Sequence, residues 1–193
     1  GLNLWFRGNW SGWEGWFGYQ KINREEHIKK TVEFIVSHAD LFKDGDVFTP
    51  CPECENGGPG DPRQNRDLDG HRRFLVSEYA ATRDAFSKIS KKVASNYNSM
   101  NADVARLVMD KDTTTALDGV VVIDHYVKDP LKLAKDIKSI ARESRGKIVL
   151  GEFGVPIPSI HGSMSDDEQT RWLKQAFAEL SGIPELIGVN YWV

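Results

Sequence analysis

Lys147–Gly154, KIVLGEFG, is the stretch on which the fold turns. Ile148, Val149 and Leu150 form a short continuous apolar run between turn signals. Such a run predicts a strand buried on both faces, the usual setting of a parallel sheet. Glu152 follows, bracketed by Gly151 and Gly154. A carboxylate at the end of a buried strand is unfavourable unless it is paired, hydrogen-bonded or engaged in chemistry. Glycines beside it let the backbone leave the sheet and let a ligand come close. A structural glutamate paired with an arginine fits these eight residues as well as a functional one, so the flanking segments must decide.

Downstream, Ser165-Asp-Asp-Glu168 has the form of a capping box. It opens a helix with Leu173, Ala176, Phe177 and Leu180 on one face, and Gly188–Val193, GVNYWV, is the last strand. Upstream, Asp129-Pro130 places a cap and a first-turn proline before a helix with the stripe Leu133, Ile137, Ile140 and Ala141. Before that, Gly119–Ile123, GVVVI, is a β-branched strand that closes on Asp124-His125-Tyr126. Val104, Leu107 and Val108 mark a short helix, and Lys92–Tyr97, KVASNY, a third strand ending in Asn96, Tyr97 and Asn98. Phe74, Tyr79, Thr82, Phe86 and Ile89 mark a helix. Asp46–Thr49 is a second strand that runs into the Gly/Pro-rich loop PCPECENGGPGDPRQ. Asn23 and Glu26 approximate a capping box for a helix that carries Ile28, Val32, Ile35 and Val36 and is stopped by Gly45. Leu2–Gly8, LNLWFRG, is the first strand. The loop after it holds Asn9, Trp10, Trp13 and Trp16, either as a stacking surface for a flat apolar ligand face or as a cluster that packs the loop down.

Strands thus alternate with helices, and candidate polar residues gather just after the strands. This pattern predicts a parallel sheet covered by helices. A doubly wound sheet would bind at a switch point, usually through a Gly-rich phosphate loop, and no GxGxxG or GxxxxGK[ST] follows a strand here. A (β/α)8 barrel draws its active residues from many strand ends, which is the arrangement seen. Six strands fall short of eight, and a whole barrel takes about 250 residues. The expected fold class is therefore α/β, a TIM (β/α)8 barrel lacking its first two βα units, with residues 1–193 as a single partial catalytic domain. The chain opens at Gly1 without a methionine, and the true N-terminus is expected to lie upstream.

The 193 residues carry 25 Lys and Arg against 28 Asp and Glu, and 40% are hydrophobic, an ordinary globular composition. This balance offers no basic field for nucleic acid. No apolar run approaches the roughly 18 residues of a membrane span.

Three features coincide along this order: Glu53-Cys54-Glu55-Asn56 after one strand, His125-Tyr126 two strands later, and GEFG with Glu152 one strand after that. Tyr191-Trp192 ends the strand that follows. The chain resembles the clan A glycoside hydrolases, (β/α)8 retaining enzymes that include cellulases, mannanases and β-galactosidases. In that clan the acid/base glutamate ends strand four, commonly as N-E-P, and the nucleophile ends strand seven. The resemblance, which runs from strand three to strand eight, implies Glu152 as nucleophile and Glu53 as acid/base, with Glu55 as rival should the register slip by two. It implies Tyr126 as hydrogen-bond partner of the nucleophile and Arg7 beneath it. Asn9, Asn96, Asn98, His125 and Asn190 would bond sugar hydroxyls, and Trp10 and Trp192 would stack on rings. The implied partner is an oligo- or polysaccharide, with no cofactor and no metal in the reaction. Enzymes of the clan are often exported, but nothing in the sequence assigns a compartment.

One departure stands out: Pro52 occupies the place of the usual asparagine before the acid/base. Other accounts stay open for several residues. His125 could be structural, Arg7 could pair with any acid of the barrel, and Trp192 could plug it. Two further classes also remain. Cys51-Pro-Glu-Cys54 is a C-x-x-C, a dithiol or half a zinc site, with His71 and His125 as conceivable further ligands. A non-catalytic carbohydrate-binding or relic barrel is the other. Strands three and eight would present unpaired edges open to edge-to-edge association.

Overall fold

The computed structural model describes residues 2–8, 10–12 and 22–193. Asn9, Trp13 and Trp16 lie outside the described residues. Six strands and eight α-helices follow one another in the described chain: β1 (Trp5–Arg7), α1 (Arg24–Ser37), β2 (Val47–Thr49), α2 (Pro62–Asn65), α3 (Leu68–Lys88), β3 (Ser99–Asn101), α4 (Ala102–Val108), α5 (Lys111–Ala116), β4 (Val120–Asp124), α6 (Pro130–Ser144), β5 (Lys147–Phe153), α7 (Pro158–His161), α8 (Asp166–Leu180) and β6 (Leu186–Tyr191). Every strand pair is parallel. β1 pairs with β2, and β3, β4, β5 and β6 form a second sheet in chain order.

The two sheets form a continuous wall. Ala94 bridges Val47 in parallel, and the Glu53 amide donates to the Ser99 carbonyl at 2.9 Å. This corrects the expected third strand. The ladder with β4 is made by Ser99–Asn101, while 92–97 contributes only the bridge at Ala94. Asn96 in that segment is instead buried, its amide nitrogen donating to the Leu117 carbonyl at 3.0 Å. The barrel is not closed among the described residues, since β1 and β6 do not pair.

Local chemistry accounts for most helix boundaries. The Asp129 side chain accepts from the Leu131 amide at 2.9 Å and Pro130 opens α6, whose buried stripe is Leu133, Ile137, Ile140 and Ala141 as expected. The Ser165/Glu168 capping box is present at α8, but its buried face is Trp172, Ala176 and Leu180, and Phe177 is exposed. Trp172 turns inward because its indole N–H finds the Lys128 carbonyl at 2.9 Å, the kind of partner a buried tryptophan needs. α1 stops at Ser37, well before Gly45, and its buried face is His27, Thr31 and Ile35; Val36 is exposed. That face is largely polar because it meets a buried acid on α3, Glu78.

Two apolar clusters hold the wall. The larger lies between the four-stranded sheet and α3, α4, α6 and α8, and includes Val121, Ile123, Ile148, Leu150, Phe153 and Ile137. The smaller is aromatic: Phe42, Phe48 and Phe86 meet edge to face at centroid separations of 5.0–5.9 Å beneath β2. Each such pair adds about 0.5–1.5 kcal/mol beyond its burial. Both clusters lock the strands whose C-terminal ends carry the polar residues described next.

Candidate active site

Gly151 sets the geometry of the centre. β4 and β5 run in register from Val120/Lys147 to Ile123/Leu150, then slip so that Asp124 lies opposite Glu152, leaving Gly151 as the extra residue. A bulge of this kind re-aims the side chains after it. A Cβ on Gly151 would lie 2.5 Å from Asp124 Oδ1 and 2.9 Å from Val122 Cγ1. Only glycine therefore leaves room for two acids side by side at the strand ends.

Arg7, at the end of β1, joins them. Its guanidinium bonds Glu152 through Nη1, and through Nη2 it donates to Asp124 Oδ2 at 2.9 Å and to Ser99 Oγ at 3.1 Å. Burial works against the Arg7 charge, but Asp124 and Glu152 outweigh it and hold the group more firmly protonated than usual. The other Glu152 oxygen accepts from the Tyr126 hydroxyl at 3.0 Å. Burial first, then Glu152, keeps that phenol protonated and therefore a donor. Asp124 is buried, and its carboxyl is pushed up to about 7, chiefly by burial, with Arg7 opposing and the Glu152 charge adding.

Glu53 comes from the loop after β2. It sits half-buried in the left-handed region, at φ 46°, an uncommon backbone for a non-glycine residue and one that recurs at functional sites. Its carboxyl is pushed up to about 8, first by burial, then by Asp124, Glu55 and Glu152. Glu55, two residues on, is buried and engaged: one oxygen accepts from the Asn101 amide at 2.7 Å and from its side chain at 2.9 Å. That bond ties the loop to the start of α4.

The remaining candidates divide. His125 is turned away toward α6, where its Nε2 meets Asp136 Oδ2 at 2.8 Å, within a cluster that also holds Lys132 and Arg106. Asn96 is likewise taken up inside the fold by Leu117. Both side chains thus have a partner within the fold. The Asn190 amide nitrogen donates to the Gly151 carbonyl at 3.0 Å and braces the bulge. Asn98 is buried with neither side-chain polar atom hydrogen-bonded among the described residues. Trp10 tilts against Phe34 of α1 at a centroid distance of 5.5 Å, so part of it packs the loop down. Trp192 is 57% exposed at the open edge after β6.

Asp124 is not among the candidate residues that the sequence singles out. The signal was available, since it is an acid ending a buried β-branched run, the same pattern that singled out Glu152. Ser99, another partner of Arg7, gave no such signal.

Neither a protein-family model nor a curated protein matches the chain. Solved structures do. A β-glucuronidase from Dictyoglomus thermophilum is similar at a TM-score of 0.56 and 16% identity, over 88% of this chain and 28% of that one. A structure from a study of two fungal β-1,4-galactanases is similar at 0.59 and 14%, over 88% and 57%. A modular endo-β-1,4-mannanase from Cellulomonas fimi, of glycoside hydrolase family 26, is similar at 0.58 and 15%, over 88% and 41%. At these identities the likeness shows the fold: a mixed α/β chain of parallel strands, shared with TIM-barrel glycosidases. The chain spans between about a quarter and three-fifths of the length of these structures.

Proposed function

We propose that the chain carries the active centre of a glycoside hydrolase that cleaves β-linked glycans with retention, residues 1–193 forming one catalytic domain that supplies strands three to eight of a (β/α)8 barrel. The observation that carries this reading is Glu152, at the end of a buried strand and held on its two oxygens by Arg7 and Tyr126, with Glu53 in its electrostatic field.

Retaining hydrolysis uses two carboxyls on either side of the scissile bond. In this reading Glu152 attacks the anomeric carbon as the bond to the leaving oxygen breaks, and Glu53 delivers its proton to that oxygen. Water then attacks the glycosyl–Glu152 ester while Glu53 takes the water's proton back. A half-buried acid that keeps its proton near neutral pH suits the first step. Arg7 and Tyr126 each hold one oxygen of Glu152 and so orient its carboxylate, and Asp124 in turn holds Arg7. In this reading Trp192, 57% exposed at the end of β6, would stack on a sugar ring.

The test is turnover of a panel of aryl β-glycosides by the full-length protein and its Glu152→Gly and Glu53→Gly variants. Each substitution should lower turnover by orders of magnitude. Azide should restore product formation, giving an α-glycosyl azide with the first variant and a β-glycosyl azide with the second. Unchanged turnover in either variant would overturn the assignment. Pro52, buried beside Glu53 where the clan has asparagine, favours a second reading, a carbohydrate-binding relative without turnover. Calorimetric binding of oligosaccharides in the absence of hydrolysis would select it.

A further inference from the structure

His27, Cys51 and Cys54 form a buried cluster that the proposed hydrolysis does not use. His27 is on α1, and the two cysteines flank Glu53 in the loop after β2. All three are at most 2% exposed. His27 Nδ1 lies 2.6 Å from Glu78 Oε1, an acid on α3 that is itself fully buried. Its Nε2 lies 3.5 Å from Cys51 Sγ and 3.6 Å from Cys54 Sγ, and the cysteines are paired as a disulfide with a Cα–Cα separation of 5.3 Å.

A disulfide alone leaves this arrangement unexplained. Its sulfurs are weak acceptors, and a buried imidazole–carboxylate pair adds little stability, yet both are held with the ring nitrogen facing the sulfurs. Metal coordination in the reduced state accounts for the orientation of the ring and for its carboxylate partner. A carboxylate on the far ring nitrogen is the usual support of a metal-ligating histidine, because it fixes the tautomer and leaves the other lone pair free to bind. With Zn–S near about 2.3 Å and Zn–N about 2.0–2.1 Å at tetrahedral angles, ligand nitrogen and sulfur stand about 3.5 Å apart, which matches both contacts. C-x2-C is also the spacing of half a zinc site.

We propose that, in its reduced state, the cluster is a structural site for a thiophilic divalent cation of the zinc type, bound by His27 Nε2 and the thiolates of Cys51 and Cys54, with Glu78 as the positioning residue for His27. A dithiol reductant gives its two hydrogens to the cysteine sulfurs and closes into a disulfide, or a phosphine becomes its oxide with water supplying the oxygen and the two thiol hydrogens. The cation then displaces the two thiol protons, and a water completes four-coordination. The bound ion would pin α1 to the loop that carries Glu53. The proposal does not depend on glycosidase activity.

The test is titration of the full-length protein with Co²⁺ after reduction by a phosphine and removal of the excess. One equivalent should give a near-ultraviolet thiolate-to-cobalt band together with the intense visible bands of a tetrahedral site, and one equivalent of Zn²⁺ should abolish both. Protein left in the disulfide form should give neither. Cys54→Ser should lose most of the charge-transfer intensity. Glu78→Gln should keep the spectrum while weakening affinity by about 10- to 100-fold. Two titratable thiols with no cobalt spectrum in folded, reduced wild type would overturn the proposal, as would a spectrum unchanged in Cys54→Ser. The wild-type titration decides the matter even if a variant fails to fold.

Discussion

Tyr126 and Asp124 bring the site down to single contacts. Tyr126 donates to Glu152 at 3.0 Å, and a hydrogen bond to a charged group contributes about 1.5–3 kcal/mol. If Glu152 is the nucleophile, Tyr126→Phe should lower kcat/KM by about 10- to 100-fold and leave the fold intact, as steady-state kinetics beside a circular dichroism spectrum would report. No loss would mean that the phenol does not act on the nucleophile. Asp124 makes a prediction about pH. Its ordinary value is 3.8 and its value in the fold is about 7. Below the ordinary value both states hold the proton, and the stability linked to Asp124 is fully present. Between the two values the folded protein binds more protons than the unfolded chain, so stability falls as pH rises through about 7. Asp124→Asn lacks this titration. Urea unfolding of both proteins should therefore show the variant gaining on wild type from about pH 4 to about pH 8, and a gap constant with pH would rule the shift out. Glu152 was legible in the sequence because glycines and a buried run isolate it. The engagement of Asn96 and His125 was not, because their partners Leu117 and Asp136 lie on other elements and nothing local announces them.

Among the elements, the bulge between β4 and β5 converts a regular ladder into a site. Without the slip at Gly151, Asp124 and Glu152 would not lie opposite each other across the ladder. Gly151→Ala forces a methyl group to 2.5 Å from Asp124 Oδ1 and 2.9 Å from Val122. Both atoms belong to buried side chains, so little room exists for them to yield, and overpacking of this kind costs about 1–3 kcal/mol. The variant should unfold at lower urea concentration with an unchanged m-value. Equal midpoints would mean that the strands part easily there and that the bulge is not a fixed feature. β4 and β5 were readable because burial on both faces gives continuous apolar runs, whereas β3, Ser99–Asn101, carries no such run and helix faces were read less well. α6 carries its stripe as expected, because apolar packing alone sets it. α1 buries His27 and Thr31 instead, because they meet Glu78 across the α1–α3 contact, and a hydrophobic period carries no information about a polar partner in another helix.

At the scale of the whole molecule, the wall of strands ends in two edges among the described residues, β1 and β6. β6 alternates half-buried and exposed positions, and its exposed set is Ile187, Val189 and Tyr191, continued by Trp192 and Val193; Leu2 and Leu4 are exposed beside β1. An edge of this composition presents unpaired backbone donors and acceptors together with apolar side chains, the combination that leads to pairing between chains. Single charges are the usual means of blocking such an edge. The 193-residue chain on its own should therefore associate as its concentration rises, and Val189→Lys should shift it toward monomer without altering its circular dichroism. Sedimentation velocity across a concentration series would follow both effects. A wild-type chain that stays monomeric throughout, sedimenting like Val189→Lys, would mean that the edges are satisfied within one copy. Association that persists unchanged in the variant would move the contact away from β6, and the same substitution strategy at Leu4 would then test β1.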